Sequence, residues 1–224
     1  AVRTARQTRI PPGREDALLT VEKRRGFTLI AHGAQLVMPG ADFTEGEHRH
    51  CLNLRSVENV RVHGGCYADS GGDGIYLGTR DGRRSNDDIV ISDVVCRGNR
   101  RQGMSVTCAS RLTLRDCLFL ETRGTAPEAG LDFEPNHEDD FFTACVVSDC
   151  LAMGNAAQGF ENHFNRLRAE SRPVELLFEH CYAEGGQKYG FTILASDPRA
   201  TPPPGVLRLE NCVARRNGTA GIRT

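Results

Sequence analysis

The chain has 224 residues, no tryptophan and only 3 methionines. No apolar run approaches the roughly 20 residues that a bilayer-crossing helix needs, so no membrane role is expected. Strong charge of one sign is missing as well. With 28 Lys and Arg against 29 Asp and Glu, the net charge is −1. A general nucleic-acid binder or an anionic-membrane binder would need a basic surface, and neither partner is expected. Helical apolar spacing is absent, with segment 17–25 reading equally well as strand and turn. The opening stretch AVRTARQTRIPPGRED has no apolar signal-peptide core. The expected location is nevertheless secreted or periplasmic, with the export signal not present in this chain.

Glycine is plentiful (24 residues), and the apolar residues fall in short alternating runs, the pattern of strands. These runs repeat. A small or polar residue closes a strand at Gly33, Gly64, Asp93, Asp116, Asp149, His180 and Asn211, at intervals of 23 to 33 residues. The last six follow VRVHG, IVISD, LTLRD, CVVSD, LLFEH and LRLEN. Six residues beyond the anchor stand Ser70, Asn99, Thr122, Asn155, Gly186 and Asn217, read as a left-handed turn position. Four further on comes Gly74, Gly103, Gly159, Gly190 or Gly221, with four inserted residues before Gly130. Each glycine opens a second strand.

A coil of this length with several short strands buries its core only by stacking on the next coil. The pattern predicts an all-β, right-handed, single-stranded parallel β-helix of about seven rungs. It covers residues 27–224, behind an N-terminal segment or cap at 1–26. A leucine-rich repeat would need a helical half-repeat, and propeller blades would show longer hairpins.

The nine cysteines contain no CxxC pair and are odd in number. Cys117, Cys150, Cys181 and Cys212 each follow an anchor, with Val94 in the equivalent place. That position lies on the inward phase of the strand, which predicts a buried column of reduced thiols rather than a disulfide framework or a metal site.

In the second strand, residues alternate between core and outer face. Ile75, Leu77, Met104, Val106, Leu131, Phe133, Phe160, Phe191 and Ile193 point inward. Tyr76, Ser105, Asp132, Glu161, Thr192 and Arg223 form one outward column, and Gly78, Thr107, Glu134, His163 and Leu194 a neighbouring one. Two adjacent rungs thus gather Asp132, Glu134, Glu161 and His163, the candidate catalytic residues. His163 is the weakest of them, because a bulge after Glu161 would turn Asn162 outward in its place.

Like charges this close disfavour joint ionisation, and a carboxyl that keeps its proton near neutral pH can act as an acid. Cleavage of a glycosidic bond needs one such acid and one carboxylate. Along one strand Asp132 and Glu134 stand about 7 Å apart, and across rungs Asp132 and Glu161 about 5 Å apart. The first spacing resembles an inverting pair and the second a retaining pair, and both stay open. Solvated acids on an ordinary β-helix face are the plainer alternative. Against it, TRGTAPEA is inserted just before the strand and Pro135 with NHEDD follows it. Calcium is the other possible occupant, held by Asp132, Glu134 and Glu161, so the cofactor expected is none or calcium.

Loops of unequal length follow the second strand at 78–88, 135–143, 165–174 and 195–205, and only 107–111 is short. Such walls would flank a groove suited to an extended chain. Candidate substrate-binding residues along it are Tyr76, Asp73, Arg101, Gln102, Arg123, His137 and Lys188. His32, His48, His50, His63 and His180 share no spacing and read as structural.

At GGDGIYLG, NRRQGMSV, TRGTAPEAGLDFEPN and the recurring NC and DC turns, the chain resembles the right-handed parallel β-helix repeat family of the pectate-lyase superfamily. The likeness runs from about Phe27 to the end. It implies a polysaccharide or oligosaccharide partner and an activity among lyases, hydrolases, epimerases or phage tailspikes. The ordered NTDG, DD, GHG and RIK set of polygalacturonase-like hydrolases is absent, the pair Asp87–Asp88 lying in another context, and so is the DPHD of alginate epimerases. A hydrolase or lyase is therefore expected. The alternative is a non-catalytic glycan-binding, adhesin-like or tailspike-like module. The uncapped final rung also suggests association through that end.

Overall fold

The computed structural model describes residues 17–43, 47–79, 86–194 and 201–224. It is a parallel β-helix. Successive turns of the chain each contribute a strand to three parallel sheets, and strands inside each sheet pair with their counterparts one turn before and after. The only helical element among the described residues is a single 3-10 turn at Gly40–Asp42.

The sheet that carries the outward column runs through Leu19–Glu22, Leu52–Arg55, Ile75–Gly78, Met104–Val106, Leu131–Phe133, Phe160–His163, Tyr189–Leu194 and Ala220–Arg223. The solenoid is thus already under way at Leu19, inside the segment set aside as a cap, while residues 1–16 lie outside the described ones. Inward side chains of this sheet fill the core: Ile75, Met104, Leu131, Phe133, Phe160 and Phe191 are all buried. Aromatic rings stack between rungs, with Phe160 and Phe191 centroids 4.9 Å apart.

The rung glycines owe their place to close stacking. A Cβ on Gly130 would sit 2.6 Å from the Gly159 carbonyl oxygen, and one on Gly159 would sit 2.7 Å from that of Gly190. No side chain fits between carbonyl and backbone there.

The anchors are the left-handed positions. Gly33, Gly64, Asp93, Asp116, Asp149, His180 and Asn211 have φ of 74, 74, 59, 56, 53, 51 and 53°. Glycine, Asp and Asn tolerate that geometry best. The second turn departs from expectation by one residue. Asp69, Gly98, Glu121, Gly154, Gly185 and Arg216 take positive φ (54, 63, 57, 67, 67 and 53°), whereas the asparagines that follow them do not. Those asparagines act through their side chains instead. Asn155 Oδ1 accepts the Thr122 N–H (3.0 Å) and its Nδ2 donates to the Phe119 carbonyl (3.2 Å) in the preceding rung. Asn99 and Asn217 repeat the arrangement. The ladder satisfies backbone groups that the turn would leave orphaned.

All nine cysteines are free thiols. Cys117, Cys150 and Cys181 are buried and Cys212 is partly so, and each sulfur lies near a carbonyl such as that of Arg115 or Ser148, both at 3.1 Å. No helix of the described residues is long and apolar enough to cross a membrane.

Candidate functional site: a buried carboxylate patch on one outer sheet

Pairing is regular across the site sheet. Tyr76 faces Ser105, Ser105 faces Asp132, Asp132 faces Glu161 and Glu161 faces Thr192. No bulge follows Glu161: Asn162 pairs with Phe133 and Ile193, is buried, and donates to the Thr192 carbonyl (3.0 Å). His163 therefore stays on the outward phase, although no hydrogen bond or ion pair joins it to the carboxylates.

Outward does not mean solvated. Asp132 is 0% exposed and Glu161 5%, while Glu134 keeps 30% of its side-chain surface. The burial comes with a second column, two residues upstream of each strand: His50, Asp73, Gln102, Ala129 and Gln158 occupy equivalent places. Gln102 Nε2 donates to Asp132 Oδ2 at 2.6 Å, and its Oε1 accepts the Ala129 N–H at 3.0 Å. Gln158 stands beside Glu161, close enough to favour its ionised form. His50 stacks on Tyr76 with ring centroids 4.8 Å apart, and its Nδ1 accepts the Asp73 N–H at 3.0 Å.

Arg101 is the cation of the patch. Its guanidinium donates to Glu134 (3.0 Å) and to the Ser105 hydroxyl (3.4 Å), and it pairs with Glu47 (3.4 Å) and more distantly with Asp73 (3.7 Å). Surrounding carboxylates outweigh burial and hold its proton more firmly than usual.

Desolvation sets the protonation of the rest. It pushes Asp73 up to about 7, against the pull of Arg101. Burial first, then Coulomb repulsion from Glu134, pushes Glu161 up to about 7, with Gln158 and Lys188 opposing. Asp132 is raised well above the carboxylate range, by burial and then by Glu161 and Glu134. His50 is driven the other way by burial and stays neutral. His50 Nε2, both Asp73 oxygens, Asp132 Oδ1, Gln158 Oε1, Glu161 Oε2 and Thr192 Oγ1 are buried with no hydrogen-bond partner. Among the described residues, no group of three or more His, Cys, Asp or Glu is arranged to hold a metal ion.

Of the residues selected from sequence, Asp73, Tyr76, Arg101, Gln102, Asp132, Glu134 and Glu161 come together, and Lys188 is exposed nearby, close enough to act on Glu161. Arg123 does not join them. It is exposed and lines a separate cleft with Arg100, Asp69 and Gly98. His137 sits in the 136–140 turn, where its N–H donates to Asp140 (2.8 Å). The described parts of the 135–143 and 165–174 loops line a cleft of their own that includes Glu138, Phe141, Arg168 and Arg172, and none of the patch carboxylates. Parts of the other two long loops, 80–85 and 195–200, lie outside the described residues.

Sequence reasoning missed Gln158 and His50. Gln158 directly precedes Gly159 as Gln102 precedes Gly103, a signal that was available. His50 shares the column too, but the longer connection after Gly33 removes it from the rung spacing.

The solenoid is similar to that of a pectate lyase. The crystal structure of pectate lyase Pel9A aligns with 77% of this chain and 44% of its own length, at 14% identity and a TM-score of 0.53. At that identity the likeness speaks for the fold. No family model matches the chain, and no curated protein sequence matches it.

Proposed function

We propose that this chain cleaves glycosidic bonds of a polysaccharide, with Asp132 as the acid and Glu161 as the carboxylate partner. One observation carries the reading: two acids in register on adjacent rungs point away from the core, yet both are removed from water and held toward their protonated forms. Folding alone gives no reason to bury them there, and perturbed acids gather where proton transfer is needed.

Hydrolysis is favoured over β-elimination by the state of Arg101. An arginine held by carboxylates cannot take up a proton, which a lyase needs its base to do. Adjacent parallel strands lie about 4.8 Å apart, close to the roughly 5–5.5 Å that separates the carboxyls of retaining enzymes. In that scheme the glycosidic C–O bond breaks as the departing oxygen takes the Asp132 proton, and the Glu161 carboxylate bonds to the anomeric carbon. Water then cleaves the ester and returns a proton to Asp132. Burial first, and then the charge of Glu134, favour keeping one proton on the pair, which the scheme places on Asp132 while Glu161 reacts as the carboxylate. A polymer substrate fits a secreted or periplasmic setting.

The test is a depolymerisation screen over neutral and acidic polysaccharides, with and without added calcium. New reducing ends without ultraviolet absorbance support hydrolysis. Unsaturated, absorbing products, or strict calcium dependence, would replace it with a lyase. Binding without turnover would replace both with a glycan-binding module.

A further inference from the structure

The Gln102 side chain is bonded at both ends of its buried amide, Oε1 to the Ala129 N–H (3.0 Å) and Nε2 to Asp132 Oδ2 (2.6 Å). The backbone donor decides which way the amide faces, because Oε1 alone can accept it. Nε2 is therefore obliged to point at Asp132. An N–H donor prefers the carbonyl oxygen of a protonated carboxyl over its hydroxyl oxygen, so the proton is displaced to Oδ1. Asp132 Oδ1 is buried with no partner in the chain.

We propose that Gln102 is a positioning residue that fixes Oδ1 as the proton-bearing, proton-delivering oxygen of Asp132. The delivery half of this rests on the reading of Asp132 as the acid, while the placement half stands without it. The contrast with Gln158 sharpens the point. Gln158 holds the equivalent place in its rung, beside Glu161, but its Oε1 accepts no hydrogen bond, so no backbone donor fixes its orientation. One acid of the pair is held by a locked amide, and the other stands beside an amide that no backbone donor fixes. That asymmetry suits a fixed proton donor beside a carboxylate whose surroundings adjust during the reaction. The patch must open for substrate to reach Oδ1.

The test compares wild type with Gln102→Met, which lacks a strong donor, and Gln102→Glu, which keeps an acceptor for Ala129 and offers no amide N–H. Carboxyl carbons are followed by 13C NMR across pH, with the Asp132 signal assigned by its loss in Asp132→Asn. Removing a donor to the ionised form raises the midpoint, here by about one pH unit. In parallel, the alkaline limb of the pH–rate profile should move up with it, and kcat should fall about tenfold at unchanged KM. A lower melting temperature in both variants with an unmoved Asp132 midpoint would overturn the proposal and leave Gln102 a packing residue. If the midpoint moves but wild type cleaves no glycan, the proton placement is upheld and the enzymatic reading is what fails. Because the NMR readout needs only folded protein, Gln102→Met, which adds no charge beside Asp132, suffices by itself.

Discussion

Two columns of buried polar side chains flank the turn that leads into the site sheet, and they are treated differently. In the asparagine ladder Asn99 and Asn155 have amide oxygen and nitrogen both paired with backbone of the preceding rung. In the carboxylate patch, a few residues along the same chain, Asp73, Asp132 and Glu161 keep buried oxygens with no hydrogen-bond partner. Satisfied polar groups lock rungs together. Unsatisfied ones cost about 1–3 kcal/mol each and call for an explanation beyond folding. The difference separates the part of this repeat that holds the solenoid from the part available for chemistry.

Substitutions can break that contrast from either side. The largest effect is expected from Asp132→Asn and Glu161→Gln, each lowering kcat about a hundredfold or more. Melting temperature should hold or rise, because a neutral isostere avoids ionising a buried acid. Kinetics beside a thermal melt checks both. A large stability loss with intact turnover would place the acids with the ladder. Next, Asn155→Ala strands the Thr122 N–H and the Phe119 carbonyl, costing about 2 kcal/mol or more. Denaturant midpoints read that loss, and turnover per folded molecule should not change.

A smaller effect concerns pH. The folded-state value of Glu161 lies near 7 against an ordinary 4.5, so the folded chain binds this proton more tightly than the unfolded chain. The stability it contributes is present below about 4.5 and is lost as pH rises to about 7. Asp73, also raised to about 7, acts in the same direction. Melting temperature should therefore fall across this window, and Glu161→Gln should flatten part of the slope. The smallest effect belongs to Arg123→Ala. Its side chain is exposed in a separate cleft, so stability should stay within about 0.5 kcal/mol and turnover should be unaltered.

Much of this was written in alternating apolar residues. Their phase, with the rung glycines, was enough to place Asp132 opposite Glu161 and to put Phe133 and Phe160 inside. The turn was read one residue late because asparagine serves equally well as a left-handed residue and as a side-chain ladder; only the geometry separates Gly154 from Asn155. Alternation also says which way Asp132 points but not what covers it. The burial that raises its proton affinity, against the pull of Arg101, comes from contacts such as that with Gln102, which span rungs and leave no local signature. Tyr76 was visible as an outward residue, while the His50 ring stacked on it was hidden by a connection of irregular length.

The central claim concerns the protonation of one pair of acids, and titrating it in the wild-type protein tests it most directly. With Asp132 and Glu161 carboxyl signals assigned through their Asn and Gln variants, 13C NMR over pH should place the Glu161 midpoint near 7, with Asp132 well above its ordinary range. Midpoints of about 4 for both would mean ordinary solvated acids, and the account of this patch as a reactive site would fall.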